Sequence, residues 1–531
     1  MKTIYTNGMI YTMDSREPQA TALAIENGRI LAVGTTEDIR LQCGRADVEE
    51  IDLGGATVLP GLIDNHLHVA NHGIKLSTLD FTSATCVAEM LKMLREWVIT
   101  VPQGEWVVGV GWNENQFSDR RPPSLRELNE SAPHHPLLLT RVCNHAYLAN
   151  SLAFERAGIT GTTADPADGS FGRDASGDLN GMIYENASQL LKDLIPKRSR
   201  SELKDVLRRG VQHATSCGLT SVHTEDLREL DGFVNTWELY RELIVEEDLR
   251  LRSNLLIYYP HLDELKATGL TTGDGDEWVN IGALKIFADG AMGGRTALMT
   301  KPYADAPHTF GTAIVSPEEL LRIASLGRAH GMPIAVHAIG DGATDMVLDA
   351  IEKNSVAGHR HRLIHAQVLR PEQIERMKKL GDTLALDLQP RFVASDYPWV
   401  MERIAAEHLP TSYAWKTLLD AGLLCGGGSD APIEPIEPLL GLHAAITRRS
   451  PGDTHAGYQP EQKLSVREAV RLFTVGGTYA TREEEVKGTI APGKFADLTI
   501  LDRNIMIEEP DALLAAKVVR TVIGGKTVYE K

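Results

Sequence analysis

Cysteine is scarce and unpatterned. The five residues Cys43, Cys86, Cys143, Cys217 and Cys425 are odd in number, scattered over 531 positions and without a C-x-x-C pair. That supplies no disulfide framework and sets a reducing cytoplasm as the expected compartment. Long hydrophobic runs are missing too: nothing approaches the roughly 20 apolar residues of a membrane span. The opening Met1 to Gly8 reaches a turn signal with no apolar signal core. A basic patch is also lacking, since 72 Asp and Glu against 54 Lys and Arg leave a formal charge of -18 spread over separate acidic residues. Nucleic acid and anionic membrane are therefore poor partners, and a small-molecule substrate is the expected one. No low-complexity tract interrupts a chain with 43% hydrophobic and 24% charged residues, which excludes disorder as the general state.

What is present is a change of pattern along the chain. Thr3 to Thr12 and Thr21 to Val33 are short β-rich runs split by the hairpin-type dipeptides Asn7-Gly8 and Asn27-Gly28. The far end matches, with Asp497 to Leu501 and Val518 to Tyr529 divided at Gly524-Gly525. Neither end carries enough apolar surface alone, so residues 1–55 and 486–531 are expected to join as one small β-sandwich domain. Between them, residues 56–485 alternate apolar runs with helices. Ser316-Pro317-Glu318-Glu319 predicts an N-cap, a proline at the first helical position and a capping-box glutamate; Ser465-Val466-Arg467-Glu468 repeats the box, and Pro371 to Gly381 has proline in and glycine out.

Eight runs read as strands buried on both faces: Thr57 to Asp64, Leu219 to His223, Leu251 to Tyr258, Ile281 to Ala288, Pro333 to His337, Leu363 to Ala366, Leu384 to Leu388 and Leu423 to Gly427. Eight such βα units fit an α/β fold closed as a (β/α)8 TIM-like barrel, with an open doubly wound sheet as the alternative. The first gap exceeds any single crossover, so about 75–200 is expected to be an insertion with its own structure.

Chemistry concentrates where these runs end. Pro60-Gly61-Leu62-Ile63-Asp64-Asn65-His66-Leu67-His68 closes an apolar strand with two histidines at i and i+2, which share one side of a strand and suit a divalent ion such as zinc. H-x-H alone is a weak signal, since two polar residues often end a strand. His72 reads as a loop residue. Three further runs close with His337, His365 and Asp430, each unremarkable alone; metal-competent groups ending four separate strands are hard to explain as packing. Lys285, flanked by apolar residues in the fourth strand, is costly to bury unless paired, for instance with Asp289 or Glu225, or unless its amine has taken up carbon dioxide.

These motifs resemble the amidohydrolase superfamily, and within it the YtcJ-like branch that includes N-substituted formamide deformylase-like proteins. The resemblance spans nearly the whole chain and rests on the segment 60–68, Leu284 to Gly290, Val336 to Asp341, Arg362 to Gln367, Leu388 to Pro390, Gly428 to Pro432, and Gly488 to Leu498 at the return to the β domain. It implies that His66, His68 and Asp430 hold one metal, His337 and His365 a second, and a carboxylated Lys285 bridges them, with one or two zinc ions. A homodimer is the superfamily expectation.

The implied reaction is hydrolysis of a carbon–nitrogen bond by metal-activated hydroxide, with Asp430 as general acid and base. The insertion should supply the substrate pocket or its lid, with Trp112, Asn113, Asn144, His145 and Glu185 as candidates, each more often structural in such a segment. Arg391 could bind a substrate carboxylate or form an ordinary ion pair. Two other readings stay open. A mononuclear deaminase or cyclic amidase would use Asp341 as acid and base but leaves Lys285 idle, and a non-catalytic metal-binding scaffold would not need a ligand set with room for water.

Overall fold

Eight short segments rich in Leu, Ile and Val pair in chain order as one parallel sheet: β1 (Leu62–Leu67), β2 (Leu219–Thr224), β3 (Arg252–Tyr258), β4 (Val279–Phe287), β5 (Ile334–Ala338), β6 (His361–His365), β7 (Leu384–Leu388) and β8 (Leu424–Gly427). The computed structural model describes residues 2–44, 47–141, 145–166 and 168–531. They fall into two compact units, 1–72 with 207–531, and 73–206. β8 returns to β1 through loop bonds: the Asp430 N–H donates to the His66 carbonyl (2.7 Å) and the Ser429 N–H to the Asp64 carboxylate (3.0 Å). The result is a nearly closed TIM-like barrel whose crossovers include the helices Pro317–Ala329, Asp341–Lys353 and Pro371–Leu380.

The helix starts follow local chemistry. Ser465 and Glu468 close a full capping box before Val466–Leu472, whereas Ser316 caps the Glu319 N–H but Glu319 itself turns to Arg322. The first expected strand needs correction. Thr57–Pro60 belongs to a different sheet, and the barrel strand starts only after Gly61, where any side chain would meet Thr220 Oγ1 at 2.1 Å.

Two sheets are built from the chain ends. One orders Arg29–Gly34, Ala22–Glu26, Lys2–Thr6 and Val48–Asp52; the other orders Lys526–Glu530, Val518–Ile523, Leu498–Leu501, Thr57–Pro60, Met9–Tyr11 and Gln19–Ala20. Tyr5, Leu23 and Ile25 from the first share an apolar core with Ile10, Val58, Leu498 and Val522 from the second. Asn27-Gly28 and Gly524-Gly525 make the expected hairpins, but Asn7-Gly8 does not: there the chain leaves one sheet for the other. Residues 73–206 carry a six-stranded mixed sheet with the helices Val87–Val98, Leu125–Ser131 and Ser151–Ala157. Among the described residues no helix is long and apolar enough to cross a membrane.

Polar groups also fill part of the barrel interior. Arg362 on β6 donates to Asp387 on β7 (2.7 Å) and to the Asn65 carbonyl, while the Asn65 amide donates to Asp387 (3.1 Å); Arg362 and Asp387 are fully buried. Removing one member strands a charge away from water. Asp387→Ala should cost about 3–5 kcal/mol, read as a fall in the unfolding midpoint, and the paired replacement Arg362→Met with Asp387→Leu should recover most of it.

Candidate metal centre

All six expected ligands lie at the carboxyl ends of barrel strands. His66 sits near the end of β1 and His68 one residue beyond it; Lys285 lies two residues before the end of β4, His337 is the penultimate residue of β5, His365 closes β6, and Asp430 follows β8. Donor atoms of His66, His68 and Asp430 lie within 4.8 Å of one another. Asp430 Oδ1 is 3.5 Å from Nε2 of both histidines. Two donors bound at about 2.0–2.1 Å to one tetrahedral ion stand about 3.3 Å apart, so this trio fits a divalent cation with little adjustment. The imidazoles continue as a chain, with ring centroids 5.3 Å apart for His66 and His68, 5.7 Å for His66 and His365, and 4.5 Å for His365 and His337.

Three of the four rings are oriented by what one of their nitrogens touches. His68 Nδ1 bonds to the Glu225 carbonyl (2.6 Å), His365 Nδ1 to Gln389 Oε1 (2.8 Å) and His337 Nε2 to the Gly290 carbonyl (3.0 Å). Such partners fix the tautomer and ring angle of a metal-binding histidine. Lys285 Nζ is 3.1 Å from His66 Nε2. Neither carboxylate considered as its ion-pair partner takes that role among the described residues: Glu225 pairs with Arg228 (3.1 Å), and Asp289 accepts the backbone N–H groups of Leu298, Ile339 and Gly340.

Burial sets the electrostatics. It drives His66 and His337 well below the usual histidine range, assisted by nearby Lys285, and brings His365 to about 4, so these rings are neutral and can donate to a metal. Burial works the same way on His68, but Asp430 and Glu225 outweigh it and raise that ring to about 9. Asp430 is opposed by burial yet held below the ordinary carboxylate range by His68, His365 and Lys285. Burial also lowers the Lys285 amine to about 8. The backbone at His365 (φ 79°) and Asp430 (φ 59°) is left-handed, a conformation that costs a non-glycine residue about 1–3 kcal/mol and is retained where surrounding structure enforces it.

A cavity of about 390 Å³ opens over the histidines and Asp430, walled by Phe287, Met292, Phe392 and Trp399 with Asp396 and Glu434 at polar positions. Arg391 is not on this wall; it forms an ordinary ion pair with Glu434 at 3.1 Å. Asp341, the acid and base of the deaminase alternative, is fully buried and engaged by the Thr300 N–H (2.9 Å) and by Arg370 (3.1 Å). His72 lies in the helix Val69–Leu76 and not in a loop.

The other candidates belong to the unit 73–206. Trp112 is fully buried in its core and donates to the Leu139 carbonyl (2.9 Å), a packing role in place of the expected substrate contact. Asn113 accepts from the Asn115 N–H (3.2 Å) and from Arg141 (3.3 Å). His145 and Glu185 form an exposed pair at 2.9 Å. Asn144 lies outside the described residues. Sequence reading missed the supporting role of Gln389 and of Asp64, which accepts the N–H groups of His66 (3.0 Å) and Ser429. Both stand inside recognised motifs, so their types were visible while their partners were not.

A parallel barrel with imidazoles, a carboxylate and a buried lysine converging at its carboxyl mouth defines a metal-dependent hydrolase. Residues 49–529 match the amidohydrolase family, and the chain belongs to it. A Bacillus subtilis protein named as an amidohydrolase, YtcJ, is 39% identical over the full length of both chains. N-substituted formamide deformylase of Arthrobacter pascens is 28% identical across 99% of this chain and 98% of its own. Among solved structures, an uncharacterized metal-dependent hydrolase from Pyrococcus horikoshii superposes with a TM-score of 0.79 at 28% identity, covering 96% of this chain and 99% of that one.

Gln389 gives a direct test of how the centre is held. Gln389→Leu should leave the fold intact and weaken divalent-metal binding by about ten- to a hundredfold, measured by competition with a chelating dye.

Proposed function

We propose that this enzyme hydrolyses the carbon–nitrogen bond of an amide or N-substituted formamide, releasing an acid and an amine. The observation that carries the reading is the convergence of His66, His68 and Asp430 donor atoms within 4.8 Å at the floor of an apolar-walled cavity. The similarity to N-substituted formamide deformylase supports the substrate class. Phe287, Met292, Phe392 and Trp399 suit an apolar substituent on the scissile group.

His66, His68, Lys285, His337, His365 and Asp430 would hold one or two divalent ions, zinc being the natural choice for nitrogen and carboxylate donors. An ion bound there supplies Lewis acidity toward the carbonyl and acidifies water toward a pKa of about 7. Asp430, ionised at neutral pH, takes a proton from the attacking water as the new C–O bond forms and returns it to nitrogen as the C–N bond breaks. Lys285 would join the ligands as an N6-carboxylate: an amine lowered to about 8 is partly neutral near pH 7 and can add to carbon dioxide with loss of one proton, giving an anionic oxygen donor. Residues 1–55 and 486–531, joined by the strand Thr57–Pro60, act as one small β domain, and the free thiols Cys43, Cys86, Cys217 and Cys425 suit a cytoplasmic setting.

Asp430→Asn should lower kcat by about 10²–10⁴-fold against a panel of N-acyl amines and formamides while most of the metal remains on elemental analysis. Lys285→Ala should lose both metal and turnover, with partial recovery on adding short carboxylates; full metal content and rate in that variant would contradict that ligand role. Metal-replete protein inert across the whole panel would point instead to a binding scaffold.

A further inference from the structure

Away from the barrel mouth, a second set of donors meets with metal-ligand spacing. His213 lies in the last turn of the helix Arg200–Ser216, and Cys217 follows four residues later on the same side. Glu437 stands immediately before the helix Pro438–Thr447. One donor atom from each lies within 4.8 Å of the other two, and all three residues are partly accessible. His213 Nε2 is 3.9 Å from Cys217 Sγ. Nitrogen at about 2.0 Å and thiolate at about 2.3 Å on one tetrahedral ion stand about 3.6 Å apart, so small side-chain rotations would complete the geometry.

The other nitrogen of His213 is already placed. His213 Nδ1 is 2.9 Å from His72 Nε2, with the two rings stacked at 5.1 Å. If His213 Nδ1–H donates to His72, the lone pair of His213 Nε2 faces Cys217, which is how a supporting partner prepares a ligating imidazole.

We infer that His213, Cys217 and Glu437 form a second divalent-metal site of the zinc class, with His72 orienting His213 and solvent completing the coordination. Bound metal would tie the helix entering β2 to the helix leaving β8. The inference does not depend on the reaction proposed for the barrel mouth, where no thiol is among the ligands.

That difference in donors makes the site separable by spectroscopy. Metal-free full-length protein titrated with Co²⁺ should develop a near-ultraviolet thiolate-to-cobalt charge-transfer band, in wild type and equally in the His66→Ala, His68→Ala double variant. Cys217→Ser should abolish the band, and His72→Ala should weaken Co²⁺ binding at this site by about ten- to a hundredfold. Zinc should also slow alkylation of Cys217 by iodoacetamide in the unmodified protein, a readout that needs no variant to fold. Cobalt-saturated protein without a thiolate band, a band undiminished in Cys217→Ser, or alkylation at the same rate with and without zinc would each overturn the assignment.

Discussion

The seam between β8 and β1 is the constraint on which the site depends. Regular strand pairing stops there, and the barrel is closed by the Asp430 N–H on the His66 carbonyl and the Ser429 N–H on Asp64. The same Asp64 carboxylate takes the His66 N–H, so one buried side chain fixes both the strand that carries two histidines and the loop that carries the carboxylate. Gly428 permits this approach: a side chain there would stand 2.7 Å from Asp64 Oδ1 and from the His66 nitrogen. Fold closure and ligand geometry are therefore one event. The trio of donors is set by backbone bonds and needs no long flexible side chain to search for its place.

Gathering so many buried ionisable groups at one mouth would oppose folding if all were charged. The arrangement limits that cost in two ways. Burial keeps His66, His337 and His365 neutral, and neutral rings are both cheaper to bury and ready to donate to a metal. The charges that persist are matched: Arg362 with Asp387 below the centre, Glu225 with Arg228 beside it, and His68 against Asp430 within it. The left-handed backbone at Asp430 is held by its N–H bond to the His66 carbonyl, and at His365 the ring is held by Gln389.

Much of the barrel, and the placement of His337, His365 and Asp430 at its carboxyl mouth, could be read from residue order because strand ends are local signals. An apolar run closing in His337, His365 or the Gly-Ser-Asp of 428–430 reports position along a strand, and parallel strands bring equivalent positions to one face. What sequence could not show was partnership across space. Thr57 to Asp64 reads as one uninterrupted run, yet Gly61 hands the chain from one sheet to another because Thr220 leaves no room for a side chain. Asn7-Gly8 looks like a hairpin by composition, but pairing with Ala22–Glu26 on one side and Thr57–Pro60 on the other pulls its two strands into separate sheets. Trp112 illustrates the converse: an aromatic ring in a polar-rich stretch suggests contact with a ligand, while its surroundings make it core.

One short helix connects the two donor clusters. Val69–Leu76 begins directly after His68, and the His72 N–H donates to the His68 carbonyl (2.8 Å), so one turn separates a barrel-mouth ligand from the ring that steadies His213. The donor sets differ in kind, imidazole with carboxylate in the trio at the mouth, imidazole with thiol and carboxylate at the proposed second site. Softer thiolate donors favour zinc over the harder cations that oxygen donors accept, so the two positions can differ in metal preference even within one solution. The two clusters thus share one short stretch of backbone, with His68 immediately before the helix and His72 in its first turn.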